Sequence, residues 1–109
     1  MGLDIRFIHR RNIVCPHCKT VVSTEDVYVT SSGGREWYDI LESFGYYIPY
    51  DKRTEENDWY AKDMVLTTEQ AKQVYNFVKT SDVYDAKDIL GLIATALLEE
   101  DVVVINADW

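Results

Sequence analysis

"NIVCPHCKTVV" (Asn12–Val22) holds both cysteines of the chain, with a proline and a histidine between them. A Cys-Pro-His-Cys segment serves either thiol–disulfide exchange or metal binding, and the residues after Cys18 separate the two. In the redox use, the backbone dipole at the start of a helix lowers the pKa of the first cysteine, so a helix has to begin at the motif. Here Cys18 is followed by "KTVVST", in which every residue but Lys19 is β-branched or Ser. Such a run makes a poor helix and a good strand. A thioredoxin-like site also expects a proline at a later strand start, and Pro49, the other proline of the chain, lies in an aromatic, loop-like stretch. The motif therefore reads as the turn region of a β-hairpin, and the fold as one built on that hairpin.

The stretch upstream supports a strand. "GLDIRFIHR" alternates, with Leu3, Ile5, Phe7 and His9 on one face and Asp4, Arg6 and Ile8 on the other, which is the period of a strand with one buried side. Strand, Cys-Pro-x-Cys, strand is the context of a zinc knuckle, with Cys15 and Cys18 as ligands. The match is imperfect, because Lys19 stands where such knuckles favour glycine. A closed zinc site needs about four ligands and the chain has no second cysteine pair, so the rest must be His, Asp or Glu. A tight turn at Arg11–Asn12 sets His9 across from Val14 and beside Cys15, which makes His9 the expected third ligand. The competing role for His9 is a core histidine bonded to a backbone carbonyl. His17, between the cysteines, is expected to point outwards, and Glu25, Asp26 or a more distant carboxylate stays open as the fourth ligand.

The rest of the chain divides cleanly. "DVYVTS" continues as strand and "SSGG" reads as a turn. "REWYDILESFG" places Trp37, Ile40, Leu41 and Phe44 on one helical face, with Gly45 just past its end. Thr67 and Gln70 form a capping box for "TEQAKQVYNFVKT", and Asp85 is in position to cap "AKDILGLIATALLEE". "DVVVINADW" is a closing strand. The expected fold class is α+β, a small, mostly antiparallel sheet with helices near 35–44, 68–79 and 86–100 and an N-terminal zinc-knuckle hairpin. At 109 residues it is expected to be one domain, with the hairpin over about 1–30 and the helical part and last strand over about 35–109.

Charge is the strongest global feature. The net charge is −8, yet residues 1–22 carry Arg6, Arg10, Arg11 and Lys19 against Asp4, a balance of +3, and residues 23–109 carry −11. That acidic body repels phosphates and favours a basic protein surface as partner rather than direct contact with nucleic acid. No apolar run approaches the roughly 20 residues that span a bilayer. Asp4 and Arg6 interrupt the place where a signal peptide carries its apolar segment, so a cytoplasmic location is expected. Metal-hydrolase, zinc-deaminase, phosphate-loop and serine-nucleophile motifs are all absent from the sequence, so a bound metal is expected to be structural.

"YYIPYDKRTEENDWYAKD" (46–63) is the main loop, rich in aromatic and acidic residues. Glu55, Glu56 and Asp58 beside Trp59 and Tyr60 suit an interface with a basic protein surface, set against a second small core under a long loop. The opening "MGLDI", the early Cys-Pro-His-Cys and the "SGGREWYDILESFGYYIPYD…NDWYAKDM" block resemble small phage- and prophage-borne proteins, among them the metal-containing anti-CRISPR proteins that block type II RNA-guided nucleases. That resemblance implies a non-enzymatic inhibitor that binds the nuclease and interferes with guide or target-DNA loading, with Cys15 and Cys18 as metal ligands. The alternatives are a thiol–disulfide oxidoreductase with Cys15 as nucleophile, and a zinc-knuckle adaptor that meets nucleic acid through Arg10, Arg11 and Lys19.

Overall fold

The computed structural model describes residues 3–109, so Met1 and Gly2 of the N-terminal segment lie outside the described residues. Seven elements follow in order: β1 (Asp4–Val14), β2 (Val21–Gly33), α1 (Trp37–Ser43), β3 (Met64–Val65), α2 (Thr68–Thr80), α3 (Ala86–Leu98) and β4 (Val102–Asp108), with a short 3-10 turn at Tyr50–Lys52. The strands form one antiparallel sheet in the order β2-β1-β4-β3. The fold is α+β, as the sequence patterns indicate, and the first and last strands are neighbours, with Phe7 opposite Ile105.

The alternation in β1 works as expected over its first half. Leu3, Ile5, Phe7 and His9 are all buried. α3 lies across β1, β2 and β4, and α2 packs on α3. Ile89, Leu92, Ile93 and Ala96 are the buried face of α3, and Ala71, Val74 and Val78 that of α2. An aromatic stack ties the sheet to the helices: the Trp37 ring lies 5.2 Å from Phe7 and 5.0 Å from Phe77. Ile8, on the opposite face of β1, is also buried. It stands between Val29 and Val104, with Val65 beyond, in an apolar row across the outer face of the sheet.

Helix ends follow the sequence signals in two of three places. Thr67 accepts from the Gln70 amide and Gln70 accepts from the Thr67 amide, a complete capping box. α1 closes at Gly45, at φ +75°, where the amides of Gly45 and Tyr46 reach the carbonyls of Glu42 and Leu41. Asp85 differs: it adopts a left-handed conformation, φ +58°, and its side chain makes no capping bond to α3.

The hairpin departs from expectation in its length and in its turn. β1 runs straight through Arg11 and Asn12 to Val14, so those residues pair with Glu25 and Thr24 instead of turning. The turn is the cysteine motif itself, closed by Cys15 N–H to Thr20 O at 2.8 Å and Lys19 N–H to Cys15 O at 2.9 Å. β2 is continuous from Val21, and Ser31, Ser32 and Gly33 still pair with β1 before the chain turns at Gly34. The register slips twice, between His9 and Arg10 and between Ile13 and Val14, leaving Val27 and Val22 of β2 as bulged residues. Beyond Arg11 both strands carry exposed residues on both faces, so the hairpin leaves the core as a two-stranded ribbon. The molecule measures 47 × 34 × 22 Å.

Two neighbouring substitutions in α3 test the packing. Leu92→Ala removes a core side chain and should destabilise by roughly 2–5 kcal/mol in urea unfolding. Gly91→Ala, where a new Cβ meets nothing within 4 Å, should stabilise by about 1 kcal/mol. Similar effects at the two positions would mean that the helix phase is wrong.

Candidate functional site

Three groups of side chains stand out: the hairpin turn, an ionic cluster where the hairpin leaves the core, and the long loop. At the turn, Cys18 is exposed, Cys15 is partly buried, and both are free thiols. The Thr20 hydroxyl lies 2.9 Å from Cys18 Sγ. Hydrogen bonds from the Thr20 side chain and backbone, then from the Cys15 thiol, favour the thiolate and bring the Cys18 pKa from 9.0 down to about 7. No helix contributes, because β2 follows the motif. Lys19 sits at φ +62°, the left-handed region in which the glycine of a Cys-x-x-Cys-Gly turn would rest without strain. The turn thus has that backbone shape despite its lysine.

His9 is not beside the cysteines. It precedes Cys15 by six positions along the chain, a separation of about 20 Å in extended strand. Its Nε2 donates to Asp101 Oδ2 at 2.7 Å and lies 3.6 Å from Glu99 Oε2. Among the described residues, the His9, Glu99 and Asp101 donor atoms lie within 4.8 Å of one another, close enough to share a metal ion. The Arg11 guanidinium already spans the two carboxylates, at 2.6 Å from Glu99 and 3.2 Å from Asp101, so it supplies the positive charge there. Asp101 is set in place by the end of α3. Glu100 is left-handed at φ +58°, and the amides of Glu100 and Asp101 reach the Leu97 and Ala96 carbonyls, closing the helix in a Schellman turn. His9 first, then Arg11, hold the Asp101 carboxyl below its ordinary range. Arg10, on the adjacent position, is committed to Asp26 at 2.8 Å and Asp63 at 3.4 Å.

The loop has a buried floor and an exposed rim. Tyr46 is fully buried; its hydroxyl accepts from the Ala107 amide at 2.7 Å and donates to the Lys62 carbonyl at 2.7 Å, so it closes the edge of β4 beyond the short β3. Trp109 packs edge-on against Tyr46, Tyr47 and Tyr60, while Arg53 lies 5.3 Å over the Trp109 ring. Trp59 is half-buried and stacks on Tyr46, which makes it part of this floor. Thr54 and Asn57 bond reciprocally, Arg53 grips the Ile48 carbonyl, and Asp58 accepts from the Tyr60 amide. Glu55 and Glu56 are exposed on the rim, Asp58 is half-buried and Tyr60 half-exposed. Tyr46, Tyr47 and Tyr50 are too many tyrosines in the sequence for all to be buried, and Tyr50, at 88% exposed, is the one that stands furthest out. No protein-family model matches the chain, and neither a curated protein nor a solved structure is found to be similar to it.

Two measurements probe these clusters. Alkylation of Cys18 should rise with pH through about 7, and Thr20→Val should move that midpoint up towards 9.0; an unmoved midpoint would remove the hydroxyl as the cause. Asp101 gives up its proton more readily folded than unfolded, so it stabilises the fold fully above the ordinary value of 3.8 and loses that contribution as pH falls through its lower folded value. Asp101→Asn should therefore be less stable than the parent protein near neutral pH, and the gap should narrow in denaturant melts taken at about pH 3 and below.

Proposed function

We propose that this protein acts by binding rather than by catalysis, as an acidic inhibitor that docks on a basic surface of another protein in the cytoplasm. We infer a type II RNA-guided nuclease as the target, with guide or target-DNA loading as the step blocked, which is what the resemblance of the Cys-Pro-His-Cys and "SGGREWYDILESFGYYIPYD" motifs to phage-borne inhibitors implies. One observation carries the reading: the acidic rim of the 46–63 loop, in which Tyr50, Glu55 and Glu56 are all exposed, stands on a floor fixed by the Tyr46 hydroxyl and the rings around Trp109. Ordering such a loop before contact lowers the entropy cost of binding. A nuclease of this class holds nucleic acid in positively charged channels, which an acidic, aromatic rim complements.

The adaptor alternative is weakened by the ion pairs of Arg10 and Arg11, which are turned onto the protein's own carboxylates. The thiol-exchange alternative draws on the lowered pKa of Cys18, an exposed thiol near its midpoint at neutral pH. Its cause is a local hydroxyl, with no helix start to stabilise a leaving thiolate.

A binding titration against a purified type II nuclease, with and without guide RNA and alongside a DNA-loading assay, tests the reading. Association should slow as salt rises, because exposed charges are screened beyond about 8 Å at physiological ionic strength. Reversing Glu55, Glu56 and Asp58 to Lys together should weaken binding more than reversing Asp85 and Asp88. An absence of binding in both guide states would remove the inhibitor reading, and insensitivity to the loop charges would move the contact elsewhere.

A further inference from the structure

We propose that the hairpin tip is half of a zinc site and that a second copy of this chain completes it, Cys15 and Cys18 of each chain holding one ion between them in a four-thiolate tetrahedron. The inference is independent of the inhibitor reading. One turn carries two free thiols, Cys18 exposed and Cys15 partly buried, and a closed tetrahedral site needs about four ligands. The chain's own candidates are out of reach or engaged. His9 is bonded to Asp101, about 20 Å down the strand. Asp26 is bonded to Arg10, and Glu25 pairs with Arg11 across the ribbon, four positions beyond Val21 and about 13 Å from the turn. His17, between the thiols, is the remaining nearby nitrogen and is addressed by the test.

The tip is shaped for a second tip. It projects from the core on a ribbon exposed on both faces, so two tips can meet without the bodies colliding. Around the thiols Ile13, Val14, Val21 and Val22 are 43%, 46%, 54% and 62% exposed, an apolar collar that a two-fold partner would cover with its own. The charge also fits. Zinc with four thiolates carries excess negative charge, and Lys19 of each copy stands next to a ligand, whereas the acidic bodies that would repel one another lie at the far ends of the ribbons. Lys19 holds its left-handed conformation at a cost that glycine would avoid, which keeps a positive charge at the tip. On binding, each thiol gives its proton to solvent and its sulfur forms a bond to zinc, with no change of oxidation state and no oxidant needed.

The test uses the full chain, purified with chelator and kept under reductant, and titrated with zinc while its mass is followed by light scattering. Cobalt substitution reads the ligand set by absorption. The expected result is one metal per two chains, a dimer that forms with zinc and dissociates with EDTA, and a cobalt spectrum of four thiolates. Cys15→Ser and Cys18→Ser should each abolish dimer and spectrum while leaving the melting curve of the metal-free protein unchanged, since the tip lies outside the core. Lys19→Glu, which keeps all four sulfurs, should weaken the dimer several-fold. One zinc per chain at monomer mass, loss of binding in His17→Ala, or no zinc uptake by the reduced protein would each overturn the proposal.

Discussion

The 2.7 Å hydrogen bond between His9 and Asp101 fixes the point at which β1 stops being a core strand and becomes part of a free ribbon. Both partners are placed by something else. Pairing with Tyr28 and Val103 sets His9 on the inner face, where its ring is buried under α3. The Schellman closure of α3 delivers Asp101 to that ring just before β4 begins. A buried imidazole without a partner would carry a desolvation penalty of roughly 1–3 kcal/mol, so the pair ties the end of α3, the start of β4 and the middle of β1 to one another. Arg11, two positions further, covers the same carboxylates from the solvent side. The first bulge in β2 falls at this junction, between His9 and Arg10, and increases the twist where the hairpin departs.

The parts of this fold that were legible in the sequence are those with local causes. The alternation of Leu3, Ile5, Phe7 and His9, the capping box of Thr67 and Gln70 and the glycine after α1 each act within a few residues of where they are read. What sequence reasoning missed depends on distant partners. The ribbon continues through Arg11 and Asn12 because β2 offers Glu25 and Thr24 opposite them, which no local signal announces. Ile8 looks solvent-facing by period and is buried because Val29, Val104 and Val65 line up across the sheet. β3 is two residues long, too short to leave a pattern. His9 was legible as a histidine in need of a partner; its partner stands 92 positions away and was not.

The loop shows how composition misleads residue by residue while holding in aggregate. So many aromatic residues in one stretch suggest a contact surface, yet Tyr46 joins the main core, and Tyr47 and Trp59 pack against it around Trp109. The Tyr46 hydroxyl explains why tyrosine and not phenylalanine stands there: it takes the amide that β3 is too short to pair. The outward-facing charges are Asp51, Glu55, Glu56 and Asp63 against Lys52 and Lys62, with Tyr50 and Tyr60 beside them in the sequence, so the surface is acidic on balance and aromatic second. A contact built on it would be governed more by long-range charge than by buried rings, which places its strength in the rate of encounter.

Charge then divides the molecule in two. The acidic residues dominate the body, and the arginines that would offset them near the hairpin base are spent internally: Arg10 on Asp26 and Asp63, Arg11 on Glu99 and Asp101. Both guanidinium groups lie where β1 leaves the sheet, so they hold the ribbon's root instead of presenting charge to a partner. What projects beyond them is uncharged on β1, from Asn12 through Val14, and carries Lys19 at the turn. An acidic body and an apolar, thiol-bearing, lysine-tipped ribbon ask for different partners. Because the ribbon shares few contacts with the core, a change at the tip can alter what the tip binds without disturbing the loop, and the two surfaces can be varied independently.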